Sequence, residues 1–123
     1  MTAIEIGAAP LGLSDIRAAL AGPVSVTLTR AAEARIERAA ATIERLAAGG
    51  DPIYGVNTGF GRLASERIGA EHLERLQVNL VRSHAAGIGE LVPDPVVRLV
   101  LLLKIASLAA GHSGVRRETV ALL

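Results

Sequence analysis

Cysteine and tryptophan are absent from the 123 residues, and the aromatic content is two side chains, Tyr54 and Phe60. Without thiols there is no disulfide framework, no thiolate nucleophile and no zinc site built on sulfur, and a reducing cytoplasm is the expected location. Charge of one sign is missing too: 13 Lys and Arg stand against 12 Asp and Glu, for a net charge of +1. Phosphate binding needs clustered positive charge, so neither nucleic acid nor an anionic membrane is an expected partner. The start, Met1-Thr2-Ala3-Ile4-Glu5-Ile6, carries neither the basic n-region nor the apolar run of a secretory signal, and no export is expected. Val96 to Ile105 is the most apolar stretch, but Arg98 and Lys104 cut it and Pro93-Asp94-Pro95 leads into it. A bilayer span needs roughly 20 apolar residues, so this run reads as a helix buried inside a helical protein. What is present is a chain that is 50% hydrophobic. Its length allows roughly two thirds of the unfolded surface to be buried, which argues against disorder.

Helix signals dominate. Ser14-Asp15 opens a short helix to Leu20, Gly22-Pro23 ends it, and Val24 to Leu28 alternates as a short strand. Thr29 is placed to cap a helix over about 30–48, its hydroxyl accepting an otherwise unpaired backbone N–H. Ala32, Ile36, Ala39, Ala40, Ile43, Leu46 and Ala47 form one stripe at the helical period, with Arg38, Ala41 and Arg45 opposite, and Gly49-Gly50 is the stop. Ile53 to Gly61 reads as a short extended piece running into a loop with three glycines. A helix follows over about 70–86. On it Leu73, Gln77, Leu80 and His84 share a face, with Leu76 beside them and Glu71, Arg75 and Arg82 opposite, and Gly87-Ile88-Gly89 ends it. Asp94 and Pro95 open the next helix, Gly111 closes it, and Ser113 is placed to cap a last one. That last helix runs into Val120-Ala121-Leu122-Leu123 with no cap, basic turn or polar tail, so the natural chain is expected to continue.

Few residues offer chemistry on pattern alone. Gly59-x-Gly61-x-x-Ala64 superficially matches a dinucleotide fingerprint, but the second strand and its acidic residue are missing, and no Lys-Ser or Lys-Thr follows as in a phosphate-binding loop. His72, His84 and His112 lack metal-ligand spacing, and no metal is expected. His72 reads as a surface residue and His112 as a neighbour of helix-ending Gly111. His84 lies on the apolar stripe beside Gln77, where an imidazole needs a partner, and reads as a satisfied core histidine. Tyr54 stands at the mouth of the glycine loop. Exposed backbone N–H groups of such a loop can stabilise a phenolate; equally, Tyr54 and Phe60 can be anchors that pack it. The residues by themselves leave both readings open.

Two blocks carry more information: Tyr54-Gly55-Val56-Asn57-Thr58-Gly59-Phe60-Gly61, and Leu76-Gln77-Val78-Asn79-Leu80-Val81-Arg82-Ser83-His84-Ala85-Ala86-Gly87-Ile88-Gly89. In this order they resemble the N-terminal part of the aromatic amino acid ammonia-lyase family, its histidine-specific members above all. Val97-Arg98-Leu99, Lys104-Ile105 and Ser113-Gly114-Val115-Arg116 fall where that family has its helix and following turn, and the likeness covers about residues 10–123. It implies a mainly α fold, the N-terminal part of the helical aromatic ammonia-lyase fold, with short strands near the N-terminus and around the tyrosine loop. Residues 1–123 would be a single N-terminal segment of a larger lyase domain.

The resemblance also implies roles. Tyr54 matches the base that removes a β-proton, and His84, in Ser83-His84, matches the contact to a substrate imidazole. Asn57, Thr58, Gly59, Phe60 and Gly61 match the mobile loop that positions the tyrosine. The implied reaction is elimination of ammonia from L-histidine to give trans-urocanate, in histidine catabolism, by a cytoplasmic homotetramer. The implied electrophile is no diffusible cofactor but a methylidene-imidazolone group that the family makes from its own Ala-Ser-Gly. No Ala-Ser-Gly occurs in these residues; Ala64-Ser65-Glu66, Ala106-Ser107-Leu108 and His112-Ser113-Gly114 come nearest. The 123-residue chain alone is therefore expected to be inactive and, with apolar faces uncovered, to self-associate. Two alternatives stay open: a tyrosine ammonia-lyase, and a non-catalytic helical interaction module derived from a lyase.

Overall fold

The computed structural model describes residues 1–123, apart from the side chain of Leu63. The chain divides into two compact units: Met1–Thr42 together with Leu91–Leu123, and Ile43–Glu90.

The first unit begins with a strand–helix–strand crossover. Strand β1 (Thr2–Ile6) leads through helix α1 (Leu13–Ala21) to β2 (Val24–Leu28), and the strands pair in parallel from Thr2 opposite Val24 to Ile6 opposite Leu28. Parallel neighbours cannot be joined by a tight turn, which is why a helix intervenes. Ile4 and Ile6 alternate with exposed neighbours and enter the core. At the start of α1 the Asp15 carboxylate accepts the Gly12 N–H at 2.8 Å, half of a capping box. The cap residue is thus Gly12, two positions before the expected Ser14. Thr29 does cap helix α2 (Arg30–Ala47), its Oγ1 accepting the Ala32 N–H at 3.1 Å.

Helix α4 (Asp94–Ala109) opens at Pro93-Asp94-Pro95, where the missing proline N–H costs nothing, and short α5 (Arg117–Ala121) follows. Helix α3 (Ala70–His84) belongs to the second unit. Leu102, Ile105, Leu108 and Ala109 of α4 pack with Ile4, Ile6, Ala19, Ala32, Ile36 and Val120 in one buried cluster. Ala19, Ala32 and Ala109 are at most 1% exposed, so small side chains occupy the most deeply buried helix positions. Full burial of a side chain such as Ile36 or Leu102 stabilises the unit by about 2 kcal/mol.

Neither α1 nor α4 has a basic residue in its own last turn. Arginines from other helices fill that role. Arg98 of α4 donates from Nε to the Ala19 carbonyl at the end of α1 (3.0 Å), and Arg35 of α2 donates from Nε to the Ala109 carbonyl at the end of α4 (3.2 Å). Each places a cation at the negative pole of a helix and satisfies a carbonyl with no intrahelical partner. No helix among the described residues is long and apolar enough to cross a membrane. On α4, Val96, Val97, Val100 and Leu103 are each more than 40% exposed in this chain.

In the second unit, helix α3 runs over Ala70–His84, preceded by a 3-10 turn at Gly61–Leu63. The short strands near the N-terminus are β1 and β2. Around the tyrosine, extended pairing among the described residues is limited to one antiparallel bridge, Thr58 with Arg67.

Candidate active site

The residues singled out from the sequence all fall in the second unit. The segment read as extended at its start is instead a tight turn. The Ile53 carbonyl accepts the N–H of Val56 at 3.0 Å and of Asn57 at 3.2 Å, so Tyr54 and Gly55 sit at the two central positions. Gly55 has φ +75°, the value a type II turn demands at its second central residue and one that a side chain disfavours. An alternating strand pattern cannot survive that residue, which is why the chain turns where hydropathy alone reads extension.

Tyr54 projects from the turn with 65% exposure. Its ring meets Phe60 edge-on, with centroids 5.9 Å apart and planes at 70°. Both readings of the tyrosine therefore hold in part. Phe60 anchors the ring, as an edge-to-face aromatic pair does, while among the described residues the phenol oxygen makes no hydrogen bond. Beneath the turn, Asn57, Thr58 and Gly59 are buried and Gly61 is exposed. The Thr58 hydroxyl donates only to the adjacent Gly59 carbonyl, at 3.0 Å. The stem closes through Ile68 N–H to the Asn57 carbonyl (2.8 Å) and Gly59 N–H to the Glu66 carbonyl (3.1 Å). Arg67 adds a contact from Nη2 to the Gly49 carbonyl at 3.2 Å. Sequence reasoning grouped Asn57 with its neighbours and did not single out Asp51, Arg67 or Ile68 as partners. An asparagine within a glycine-rich turn, a residue type that bonds nearby backbone, was the available signal.

His84 ends α3, two residues before the expected end of that helix. Only Leu73, Leu76 and Leu80 of the apolar stripe are half-buried; Gln77 and His84 are exposed, and α3 has no fully buried residue. The reading of His84 as a core histidine is thus corrected: the stripe reaches the helix end, but the cover over it does not. The imidazole finds its partner within the last turn. Its Nδ1 lies 2.9 Å from the Leu80 carbonyl oxygen and 3.0 Å from Ser83 Oγ, which itself donates to Leu80 O at 2.9 Å. A carbonyl oxygen can only accept, so in the neutral ring Nδ1 carries the proton and Nε2 presents a lone pair. Tyr54 and His84 share one unit but no hydrogen bond among the described residues. His72 lies on the surface, 3.7 Å from the Glu71 carboxylate.

This geometry offers two functional groups: a phenol on a fixed turn, and an imidazole acceptor at a helix end. Comparison with known proteins places them in context. A family model for aromatic amino acid lyases matches residues 11–123. Histidine ammonia-lyase of Pseudomonas fluorescens (strain SBW25) is 47% identical over 120 residues, covering 98% of this chain and 23% of that protein. The enzyme of the same name from Aromatoleum aromaticum (strain DSM 19018 / LMG 30748 / EbN1) is 49% identical over the same share of both chains. This chain thus spans about a quarter of the length of the curated relatives it matches. Among solved structures, histidine ammonia-lyase from Trypanosoma cruzi superposes with a TM-score of 0.83 at 34% identity, over 98% of this chain and 23% of that one. Ergothionase of Treponema denticola, an ergothioneine-degrading enzyme, gives 0.90 at 29% identity, over 98% and 24%.

Proposed function

This chain belongs to the aromatic amino acid lyase family, and on that premise we propose that it is the N-terminal part of a histidine ammonia-lyase, a carbon–nitrogen lyase that converts L-histidine to trans-urocanate and ammonia. The observation that carries the proposal is the exposed phenol of Tyr54, held on a hydrogen-bonded turn with its oxygen unclaimed. Identity of 47–49% to histidine ammonia-lyases supports the substrate.

In this reading Tyr54, as phenolate, takes a proton from the substrate Cβ. The C–H electron pair becomes the Cα–Cβ double bond as the Cα–N bond breaks and the amine departs. His84 offers its Nε2 lone pair to the N–H of the substrate imidazole, orienting the ring. The family's methylidene-imidazolone supplies the electrophile that makes the amine a leaving group. These 123 residues contain no Ala-Ser-Gly from which to build it, so their part is the base and the ring contact. The unit of function is then one larger domain that includes residues 1–123, assembled as a homotetramer in the cytoplasm. The cysteine-free composition and the exposed apolar row on α4 support that setting. No diffusible cofactor takes part.

The test is urocanate formation by a complete lyase carrying these residues. Tyr54→Phe is expected to remove most turnover and leave assembly intact, because one oxygen is lost from an exposed ring; retained turnover would refute the role. The purified 123-residue chain is expected to release no ammonia. L-Tyrosine is the informative second substrate, since a phenol O–H can also donate to His84 Nε2.

A further inference from the structure

Asn57 is 1% exposed although Asp51, Pro52 and Tyr54 around it face solvent. Its Oδ1 accepts the Ile53 N–H at 2.6 Å and its Nδ2 donates to the Asp51 carbonyl at 3.0 Å. One partner can only donate and the other only accept, so the orientation of the amide is fixed by its surroundings. The main chain of Asn57 is also fully engaged, through the Ile53 carbonyl on one side and the Ile68 N–H on the other. Asn57 therefore ties together three stretches of backbone: the approach at Asp51–Ile53, the turn itself, and the returning segment at Ile68. The hydroxyl of Thr58, equally buried, bonds only the adjacent Gly59 carbonyl among the described residues.

We infer that Asn57 is the positioning residue for Tyr54: its carboxamide stands in for a missing sheet partner and fixes Ile53, and with it the direction in which the phenol leaves the turn. The inference rests on the reading of Tyr54 as the base. It adds that, of the loop residues the resemblance implies position the tyrosine, Asn57 is the one whose side chain holds the turn in its formed state. Tyr54 directly follows Ile53, and its oxygen lies at the far end of the side chain. A small rotation at Ile53 is therefore magnified at the atom that must meet Cβ–H.

The experiment compares the complete lyase carrying wild-type residues, Asn57→Ala and Asn57→Asp, by steady-state kinetics on L-histidine and by hydrogen exchange of peptides covering residues 51–68. Asn57→Ala is expected to lower kcat about 10²-fold, the scale of a 1 Å misplacement, with KM little changed, and to speed exchange in 51–68 while peptides from α4 stay protected. Asn57→Asp keeps the acceptor for Ile53 but turns a buried carboxylate oxygen onto the Asp51 carbonyl, so it should lower kcat and speed exchange in 51–68 at least as far as Asn57→Ala. Unchanged kcat, a loss confined to KM, or exchange in 51–68 as slow in Asn57→Ala as in wild type would each overturn the inference. If Asn57→Ala does not assemble, Asn57→Asp against wild type decides by the same two readouts. If the wild-type enzyme forms no urocanate, the proposed function fails, and the exchange comparison still decides whether Asn57 holds the turn.

Discussion

Replacing Gly111 with alanine tests how closely the first unit is packed. Gly111 follows α4 with φ +80°, a left-handed conformation that costs an L-residue about 1–2 kcal/mol. A Cβ built there would lie 2.8 Å from Arg35 Cβ, 3.0 Å from the Arg35 carbonyl oxygen and 3.1 Å from its carbonyl carbon. Two of those atoms are helix backbone and cannot swing aside, so relief requires α4 and α2 to part. Overpacking of this kind costs about 1–3 kcal/mol. The stiffer unfolded chain returns about 0.4–1 kcal/mol, which leaves a net loss of about 2–4 kcal/mol. For a unit of roughly 75 residues that is a fall in Tm of about 10–30 °C. The control is Gly22→Ala. Gly22 ends α1 at φ 178°, ordinary extended backbone, and a Cβ there meets nothing within 4 Å. Its stability should stay within about 0.5 kcal/mol of wild type. Denaturant melts followed by circular dichroism read both variants. If Gly111→Ala proves as harmless as Gly22→Ala, the close approach of Arg35 and the end of α4 is wrong.

Two further substitutions probe the helix ends. Arg98→Ala leaves the carbonyl of fully buried Ala19 without its partner and should cost about 1–3 kcal/mol. Arg98→Met keeps most of the packing, so it should recover only the part of that loss owed to the aliphatic stem. Thr29→Ala removes the α2 cap and should cost about 1 kcal/mol, while Thr29→Ser should retain most of it; chemical denaturation distinguishes them.

Much of this architecture was legible in the residues. The helical period placed α2, α3 and α4 to within two or three residues, and the alternation at Val24 to Leu28 gave β2 its bounds. The cap at Thr29 could be named in advance because N-capping is local chemistry, settled by a hydroxyl within reach of one N–H. Strand β1 was harder: five residues beside a chain start look like strand only once Val24–Leu28 is available to pair with. His84 shows a different limit. Periodicity tells which way a side chain points on its helix, but whether anything covers that direction depends on residues elsewhere. The turn at Tyr54 was missed because one glycine dihedral and one asparagine amide outweigh the hydropathy of their neighbours. The chemical reading of the site came from the resemblance, and the geometry then distinguished Asn57 from residues the resemblance treated alike.

The arginine bonds at the ends of α1 and α4 bear on the order in which the protein can come into being. They join residues 79 and 74 positions apart. A ribosome that has finished α1 and most of α2 must add all of Ile43–Glu90 before the first unit receives its second half. At about 5–20 residues per second that is a wait of several seconds. During it Ile4, Ile6, Ala19 and Ile36 lack α4, and the Ala19 carbonyl has only water. The tyrosine turn, whose side-chain bonds span four and six residues, closes without waiting. Nascent chains halted before Leu91 should therefore expose an open, sticky βαβ stretch, making this interval the one in which a chaperone has most to cover.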